Sequence, residues 1–181
     1  MKPAKAVFFD RDGTLIYDYG YLSDPAKVRP YKHAVEALHR LTQAGYRLFI
    51  VSNQSGIGRG YFTAERAKAV NDRLRKLFLP VTFDDIVFCP HAPNEDCTCR
   101  KPKPALGLQL VKKYHLDVSH SFMIGDKKSD VEFGHALGCK SILVTTANGA
   151  RHRRKYPEMH PDYVAKNLSR AVQFILKKEQ A

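Results

Sequence analysis

The segment Phe8-Phe9-Asp10-Arg11-Asp12-Gly13-Thr14 is the part of the sequence on which the fold prediction depends most. The apolar run at residues 6–9 is typical of a strand in a parallel sheet that is buried on both faces. In an extended chain, side chains two residues apart point the same way, so we expect Asp10 and Asp12 to project together and Arg11 to the opposite side. Two adjacent carboxylates repel each other, and Mg²⁺ is a common counter-charge because it prefers oxygen ligands. The segment therefore predicts a magnesium-dependent site of phosphoryl transfer.

The composition is that of an ordinary globular protein. The chain has 181 residues, of which 44% are apolar and 27% are charged, and we expect one domain over residues 1–181. No apolar run approaches the roughly 18 residues that span a bilayer, and the N-terminus does not resemble a signal peptide. A cytoplasmic protein without a membrane partner is therefore expected. The net charge of +12 is compatible with nucleic acid, acidic membranes and small anionic substrates.

Apolar runs and helical patterns alternate along the chain. Strands are expected at residues 6–9, 46–51, 85–89, 121–125 and 141–144, with a short edge strand near residues 163–164. Helices are expected from about residue 32 to Gly45, then at about 64–77, 104–114, 129–137 and 168–178, and the basic run 151–155 is expected to be a loop. This order predicts an α/β fold with a doubly wound parallel sheet. In such sheets the ligand lies at the carboxyl ends of the strands, where the sequence has Asp10, Ser52, Cys89 and Asp126.

Three cysteines and one histidine fall within 11 residues, in a segment that we call the zinc loop, residues 89–99. Thiols of a cytoplasmic protein stay reduced, so disulfides are not expected here. Cys89, His91, Cys97 and Cys99 satisfy tetrahedral Zn²⁺ and leave no open position, which is typical of a structural site. The alternative is a loop of free thiols. Cys139 lies outside the cluster and is expected to be a core residue.

At its first segment the sequence resembles the haloacid dehalogenase (HAD) superfamily of phosphatases, whose first motif is Asp-x-Asp-Gly-Thr at the end of a strand. The resemblance implies that Asp10 attacks phosphorus and forms an aspartyl-phosphate. It implies that Asp12 protonates the leaving oxygen and later activates water. It also implies that Asp10, the backbone carbonyl of Asp12 and Asp126 hold a catalytic Mg²⁺.

The remaining HAD motifs match in order. Ser52 takes the place of the hydroxyl that donates to a phosphoryl oxygen, although a serine in a turn would be its ordinary role. Lys101 matches the lysine of the third motif, which neutralises the charge of the phosphoryl group and of the nucleophile. Without the other HAD motifs, the basic residues at this position would indicate only a solvated turn. Residues 125–130 match Gly-Asp-x-x-x-Asp, in which Asp126 binds the metal. Asp130 is expected to orient water or Lys101. The alternative is that it only stabilises the N-terminus of a helix, where acidic side chains are favourable.

The gaps after strands one and three are too short for a cap domain, so a capless enzyme with an open site is expected. The sequence combines the first motif with Cys-x-His…Cys-x-Cys-Arg-Lys-Pro. In this combination it resembles the HAD phosphatases that act on a heptose bisphosphate or on histidinol phosphate. Residues 18–22 and 53–63 favour the first group, which implies hydrolysis of a sugar 7-phosphate in the synthesis of nucleotide-activated heptose for lipopolysaccharide. The substrate-binding residues expected are Asp18, Tyr19, Gly20, Tyr21, Ser52, Asn53, Gln54, Ser55, Arg59, Arg100, Lys101 and Lys127.

Two other functions are open at this point. A polynucleotide 3′-phosphatase would use the same motifs, and the positive charge would suit DNA, but the zinc loop counts against it. A zinc-stabilised nucleic-acid-binding module without catalysis is disfavoured, because carboxylates at two strand ends repel phosphates unless a cation is bound. We therefore expect a small phosphorylated sugar as the partner, no nucleic acid, and a monomer. The basic run at residues 151–155 is a solvated segment or a binding patch.

Overall fold

A computed structural model describes residues 2–178. It contains a six-stranded sheet in the order β3-β2-β1-β4-β5-β6, and every neighbouring pair of strands is parallel. The strands are β1 Ala4–Phe9, β2 Arg47–Asn53, β3 Asp85–Cys89, β4 Leu116–Gly125, β5 Lys140–Val144 and β6 Tyr163–Ala165. The helices are α1 Ala34–Gln43, α2 Ala64–Phe78, α3 Ala105–Tyr114, α4 Lys128–Leu137, α5 Gly149–Lys155 and α6 Leu168–Lys178. The predicted doubly wound α/β fold is confirmed.

The alternation of side chains along β1 builds the two layers that cover the sheet. Val7 and Phe9 face one side and pack with residues of α1, α2 and α6. Ala6 and Phe8 face the other side and pack with residues of α3 and α4. Residues 6–9 are fully buried, as expected for a central strand whose two faces are both covered by helices.

The strand order reverses next to β1, since β2 lies on one side of it and β4 on the other. Phe9 is in register with Ile50 of β2 and with Ile124 of β4. The backbone N–H of Asp10 donates to the carbonyl of Ile124, with an N–O distance of 2.9 Å. The carboxyl end of β1 is thus held against both neighbours, at the switch point where ligands of such sheets bind.

The predicted start of β4 was wrong. The strand begins at Leu116 rather than Ser121, and its pairing with β1 shifts register between Lys5 and Val7. In the irregular part, Ser121 Oγ accepts from the backbone N–H of Ala6 at 2.8 Å. The polar residues in this first half of β4 hide the apolar pattern that marks its second half.

The basic run 151–155 is helical and not the predicted loop. It belongs to α5, in which only Gly149 is buried. A helix without an apolar stripe has no hydrophobic periodicity, so the spacing of apolar residues in the sequence could not predict α5. His152 also accepts a hydrogen bond at Nδ1 from the backbone N–H of Lys128, at 3.0 Å, which fixes α5 against the start of α4.

The two segments where a cap domain would be inserted are short. Residues 10–33 form turns, isolated bridges and the 3-10 helix Pro25–Lys27, and residues 90–104 form turns and bends. Neither segment forms a cap domain, as predicted, and the carboxyl edge of the sheet is open. Among residues 2–178, no helix has the length and apolar character needed to cross a membrane.

Candidate active site

Four predicted site residues meet at the carboxyl edge of the sheet. Asp10 and Asp126 directly follow β1 and β4, and Ser52 is the next-to-last residue of β2. The side chain of Lys101 reaches Asp10 and the carbonyl of Val51 from the segment after the zinc loop. The exposed fraction is 5% or less for each of them. Charged side chains are rarely buried to this degree unless they are paired. The charged groups at this edge therefore interact with one another with little screening by water.

Lys101 is the cation at the centre of this site. Its Nζ lies 2.8 Å from Asp10 Oδ1 and 2.6 Å from Asp130 Oδ1, and it donates to the carbonyl of Val51 at 2.6 Å. The contact with Asp130 agrees with the prediction that Asp130 orients Lys101. Burial alone would lower the pKa of Lys101, but Asp10 and Asp130 outweigh it and raise that pKa. Lys101 is therefore held in its charged form beside the proposed nucleophile.

Asn53 fixes the backbone of Lys101 in place. Its Oδ1 accepts from the N–H of Lys101 at 3.0 Å, and its Nδ2 donates to the carbonyl of Lys101 at 3.1 Å. Since Asn53 is the last residue of β2, this double hydrogen bond ties the segment after the zinc loop to the sheet. The position of the lysine is thus set by an element about fifty residues earlier in the chain.

The surroundings of Asp126 fit a divalent cation. Oxygen atoms of Asp10, Asp126 and Asp130 lie within 4.8 Å of one another. Asp126 Oδ2 accepts from the backbone N–H of Asn148 at 3.0 Å and from its Nδ2 at 3.1 Å. Asp126 Oδ1 is buried and accepts no hydrogen bond, and the nearest recorded cation is Lys127 Nζ at 3.8 Å. A buried carboxylate oxygen without a donor is an available ligand for Mg²⁺.

The pKa values of the carboxyl groups reflect a shortage of positive charge. Burial raises the pKa of Asp126 to about 7, and the nearby charges of Asp10 and Asp130 add to the effect. Burial also raises the pKa of Asp130. For Asp10 burial acts in the same direction, but Lys101 and Lys127 outweigh it and the pKa is lowered. An additional cation at this place would keep all three groups ionised.

The backbone is not extended from Asp10 to Asp12, although the prediction from alternating side chains assumed that it was. The strand ends at Phe9, and Asp12 belongs to the following turn. Its carboxylate pairs with the guanidinium of Arg11 at 3.0 Å, so the expectation that Arg11 points to the opposite side was wrong. The period-two rule fails here because it holds only while the backbone stays extended.

Gly13 is required where the chain turns towards Asp126. Its φ of +91° lies in the left-handed region that favours glycine, and a Cβ there would lie 2.5 Å from Asp126 Oδ2. The carbonyl of Gly13 accepts from Thr146 Oγ1 at 2.7 Å, which connects the turn to the segment after β5. The glycine thus lets the motif backbone approach the proposed metal ligand closely.

A cavity opens beside these groups, and seven of the twelve predicted substrate-binding residues line it. The lining consists of Asp12, Asp18, Gly20, Tyr21, Leu22, Asn53, Gln54, Ser55, Gly56 and Lys127. Ser52 and Lys101 are buried next to it. Arg100 lines a separate cavity on the zinc loop and donates to the carbonyl of His91 at 3.2 Å. Arg59 and Tyr19 are exposed and are not among the lining residues.

The four predicted ligands of the zinc loop converge on one point. Cys89 Sγ lies 3.7 Å from Cys97 Sγ and 3.6 Å from His91 Nδ1, and His91 Nδ1 lies 3.2 Å from Cys99 Sγ. Tetrahedral zinc, with about 2.3 Å to sulfur and about 2.0 Å to nitrogen, separates two sulfur ligands by about 3.8 Å and sulfur from nitrogen by about 3.5 Å. The cluster is therefore compatible with a bound metal ion.

The zinc loop packs against the segment that follows β2. The N–H of Gln54 donates to the carbonyl of Cys89, and the N–H of Gly58 donates to the carbonyl of Pro90, both at 2.8 Å. A Cβ on Gly58 would lie 2.5 Å from the backbone nitrogen of Ala92, so only glycine fits this approach. The loop thus supports the wall of the cavity that residues 53–56 form.

The sequence analysis missed two side chains of this site. Asn148 holds Asp126 and also donates to Asp18 Oδ2 at 3.3 Å. It lies in the segment after β5, which ends at the same edge of the sheet, so the strand-end rule could have found it. No sequence pattern marks Asn71 of α2. It accepts a hydrogen bond from the buried guanidinium of Arg11, which is 60 residues away in the chain.

Comparison with protein-family models gives two matches. A model described as haloacid dehalogenase-like hydrolase matches residues 7–113. A second, HAD-hydrolase-like model matches residues 98–171. Together they cover all four segments that carry the predicted motifs.

Several curated proteins are similar over most of their length. One from Helicobacter pylori strain J99, named D-glycero-beta-D-manno-heptose-1,7-bisphosphate 7-phosphatase, is 42% identical over 80% of this chain and 84% of its own. One from Chlorobaculum tepidum, named D-glycero-D-manno-heptose-1,7-bisphosphate 7-phosphatase, is 36% identical over 95% and 94% of the two chains.

Among solved structures, the D,D-heptose 1,7-bisphosphate phosphatase from B. bronchiseptica, crystallised with magnesium and phosphate, superimposes with a TM-score of 0.87. It is 28% identical, and the alignment covers 96% of this chain and 99% of that one. The corresponding phosphatase from Burkholderia thailandensis has a TM-score of 0.71 at 26% identity, with 95% and 98% of the two chains covered.

Proposed function

The chain belongs to the haloacid dehalogenase-like hydrolase family and is a phosphoric monoester hydrolase, and we propose that it hydrolyses the 7-phosphate of D-glycero-D-manno-heptose 1,7-bisphosphate. The observation that carries the proposal is the buried pair of Asp10 and Lys101 at the switch point of the sheet. The names of the similar proteins from Helicobacter pylori and Chlorobaculum tepidum support the substrate. The product would be heptose 1-phosphate, which the synthesis of nucleotide-activated heptose for lipopolysaccharide consumes.

Asp10 is the nucleophile of the proposed reaction. Its carboxylate attacks the phosphorus of the 7-phosphate, the bond from phosphorus to the sugar oxygen breaks, and an aspartyl-phosphate forms. The lowered pKa keeps Asp10 ionised at neutral pH. Lys101 neutralises the charge that gathers on the phosphoryl oxygens, and Ser52 donates a hydrogen bond to one of them.

Asp12 is the general acid and base. It gives its proton to the sugar oxygen that leaves phosphorus, and the sugar is released as an alcohol. It then takes a proton from the water whose oxygen bonds to phosphorus, the bond from phosphorus to Asp10 breaks, and the Asp10 carboxylate and the protonated Asp12 are restored. Asp12 lines the cavity, so both the leaving oxygen and the water have access to it.

We propose Mg²⁺ as the cation of this site, held by Asp10, the backbone carbonyl of Asp12 and Asp126. When bound it supplies electrostatic shielding between an anionic nucleophile and an anionic substrate. Asp130 is committed to Lys101 and, through Oδ2, accepts from the backbone N–H of Lys127 at 3.0 Å. It therefore positions Lys101 and the start of α4.

The second phosphate of the substrate needs a cation outside the reaction centre. Lys127 is the best placed, because it lines the cavity and its Nζ lies 3.6 Å from Asp18 Oδ2. Asp10 and Asp126 raise its pKa against the opposing effect of burial, so it carries a charge. Arg59 and Arg100 would act from the rim, beyond the residues that line the cavity.

The first prediction tests the substrate. With Mg²⁺ present, phosphate release from heptose 1,7-bisphosphate is expected to exceed release from histidinol phosphate and from a 3′-phosphorylated oligonucleotide by at least about tenfold in kcat/KM. Each substrate is assayed with the same preparation, and release is measured as free phosphate. If the sugar bisphosphate is the poorest of the three, the proposed substrate is wrong. If none is hydrolysed, the proposed reaction itself is wrong.

The second prediction concerns the zinc loop, for which we propose a structural Zn²⁺ bound by Cys89, His91, Cys97 and Cys99. Freshly purified, reduced protein is expected to contain about one zinc per chain, because the ligand set is complete for tetrahedral coordination. Replacing Cys99 with serine should remove most of the metal and lower the melting temperature. Elemental analysis and thermal unfolding measure the two effects.

The matched control is Cys139→Ala. Cys139 is buried but lies outside the cluster, so this variant should keep its zinc although it loses some core packing. Wild-type protein with far less than one zinc per chain would contradict the proposed metal. Equal zinc content in the two cysteine variants would contradict the proposed ligand set.

A further inference from the structure

Arg11 is the largest fully buried side chain among the described residues. All of the polar contacts recorded for its guanidinium go to three side chains near the proposed reaction centre. Nε and Nη2 lie 3.0 Å from Asp12 Oδ2, Nη2 donates to Gln54 Oε1 at 2.9 Å, and Nη1 donates to Asn71 Oδ1 at 2.8 Å. A buried guanidinium is costly to desolvate, and it is tolerated because these acceptors satisfy its donors.

The hydrogen bonds on Asp12 are unequal between its two oxygens. Oδ2 accepts from Arg11 Nε and Nη2 and also from Gln54 Nε2, each at 3.0 Å. Oδ1 has only a 3.3 Å contact with Arg11 Nη2. The side chain of Asp12 is 16% exposed, and it lines the cavity. One oxygen is therefore anchored in the protein, and the other is left for exchange with a ligand.

From this asymmetry, and resting on the proposed function, we infer that Arg11 is a positioning residue for proton transfer. With Gln54 and Asn71 it holds Asp12 Oδ2, so that Oδ1 carries the proton to and from the substrate. An oxygen that accepts N–H donors stays satisfied whether or not the other oxygen is protonated. The same anchor therefore serves both half-reactions.

Asp12 loses one proton and regains one proton in each catalytic cycle. In the first half-reaction the O–H bond at Oδ1 breaks, and its proton goes to the sugar oxygen as that oxygen takes the electron pair of its bond to phosphorus. In the second, Oδ1 receives a proton from water as the water oxygen bonds to phosphorus and Asp10 leaves. Arg11 loses and gains no proton, because its guanidinium stays charged throughout.

The test compares leaving groups. An alkoxide departs poorly without a proton, whereas p-nitrophenolate departs readily. Arg11→Gln is expected to lower kcat/KM for heptose 1,7-bisphosphate by about 100-fold, which is the lower end of the effect of general acid catalysis. For p-nitrophenyl phosphate the expected loss is less than about fivefold. In an Asp12→Asn background, Arg11→Gln should cost less than about threefold further, because the group that it positions is already disabled.

A second variant covers the case in which Arg11→Gln does not fold. Asn71→Ala keeps the pair of Arg11 and Asp12 but removes the acceptor of Nη1, and it should give the same difference between leaving groups with a smaller magnitude. The matched control is Arg75→Gln in the same helix. Arg75 donates to the carbonyl of Phe83 at 2.8 Å, away from this network, so its loss should leave kcat/KM for both substrates within about twofold.

The outcomes separate this inference from the function on which it rests. A wild-type enzyme that releases phosphate from neither substrate overturns the proposed function. A wild-type enzyme that is active, with Arg11→Gln losing the same factor on both substrates, overturns the role of Arg11 alone. Equal losses in Asn71→Ala and Arg75→Gln would also overturn it, since they would reflect general destabilisation of α2.

Discussion

Asp10→Asn is expected to abolish phosphate release, with kcat lowered by at least about 10⁴-fold. Asparagine keeps the shape of the side chain, but its amide does not form a stable bond to phosphorus. Asp10 is 5% exposed and pairs with Lys101 at 2.8 Å, so the variant removes the carboxylate that this cation holds at the end of β1. Free phosphate released from the sugar bisphosphate in the presence of Mg²⁺ measures the effect.

Trapping the covalent intermediate separates a nucleophile from a metal ligand. Asp12→Asn lacks the base that activates water, so it should retain radioactive phosphate after brief exposure to labelled p-nitrophenyl phosphate. This substrate has a good leaving group and does not need the acid in the first step. The double variant Asp10→Asn, Asp12→Asn should retain no label, because the atom that bonds to phosphorus is missing.

The control for these variants is Asp96→Asn. The side chain of Asp96 is fully exposed, and the ion pair that it forms is with Lys103, at 3.1 Å. Activity within about twofold of wild type is expected for it. Full activity of Asp10→Asn, or label retained by the double variant, would show that Asp10 is not the nucleophile.

Lys101→Met should cost both stability and activity. It leaves Asp10 and Asp130 buried without their shared cation, and breaking a buried ion pair from one side costs about 3–5 kcal/mol of the free energy of unfolding. The loss of charge stabilisation at the phosphoryl group should lower kcat/KM by about 10²–10³-fold. Denaturant unfolding and phosphate release are the two measurements.

The stability cost of Lys101→Met should depend on pH. In the wild type the pKa of Asp10 is lowered, because Lys101 and Lys127 outweigh burial, so the carboxylate adds to stability at neutral pH and this contribution is lost as the pH falls through its folded-state pKa. In the variant burial dominates, and the pKa of Asp10 rises. Protonation then relieves the uncompensated charge, so the difference in unfolding free energy between the two proteins should shrink as the pH is lowered from neutrality.

Lys113→Met is the matched control for the ion pair. Lys113 Nζ lies 2.9 Å from Asp85 Oδ2, but the lysine side chain is 63% exposed. An exposed pair contributes about 0–1 kcal/mol, so the variant should unfold nearly like the wild type and keep its activity. A Lys101→Met protein as stable as Lys113→Met, with the same pH dependence, would contradict the buried charge balance.

Much of the fold was predictable because its signals are local. Residues 6–9 are continuously apolar, and the structure places them in the centre of the sheet with both faces covered. Leu116 to His120 gave no such signal, since polar residues interrupt that part of β4, and its pairing with β1 is irregular. The helix at Gly149–Lys155 was missed for the same reason, because a helix that buries only a glycine has no apolar period.

The pattern of strands and helices along the chain was enough to predict which residues lie at the carboxyl edge of the sheet. A parallel sheet brings the carboxyl ends of its strands together, so the order of strands and helices was enough to group Asp10, Ser52 and Asp126. The spacing of the cysteines and the histidine likewise predicted one cluster, because ligands close in the chain are close in space.

The partners of these side chains could be identified from the folded structure but not from the sequence pattern. Arg11 and Asp12 leave the strand in a turn, where side-chain direction follows packing and no longer the period of two. The guanidinium is buried because Gln54 and Asn71, 43 and 60 residues away in the chain, supply its acceptors. A buried charge is stable only where such distant groups satisfy it, so its position could not be known before the fold was.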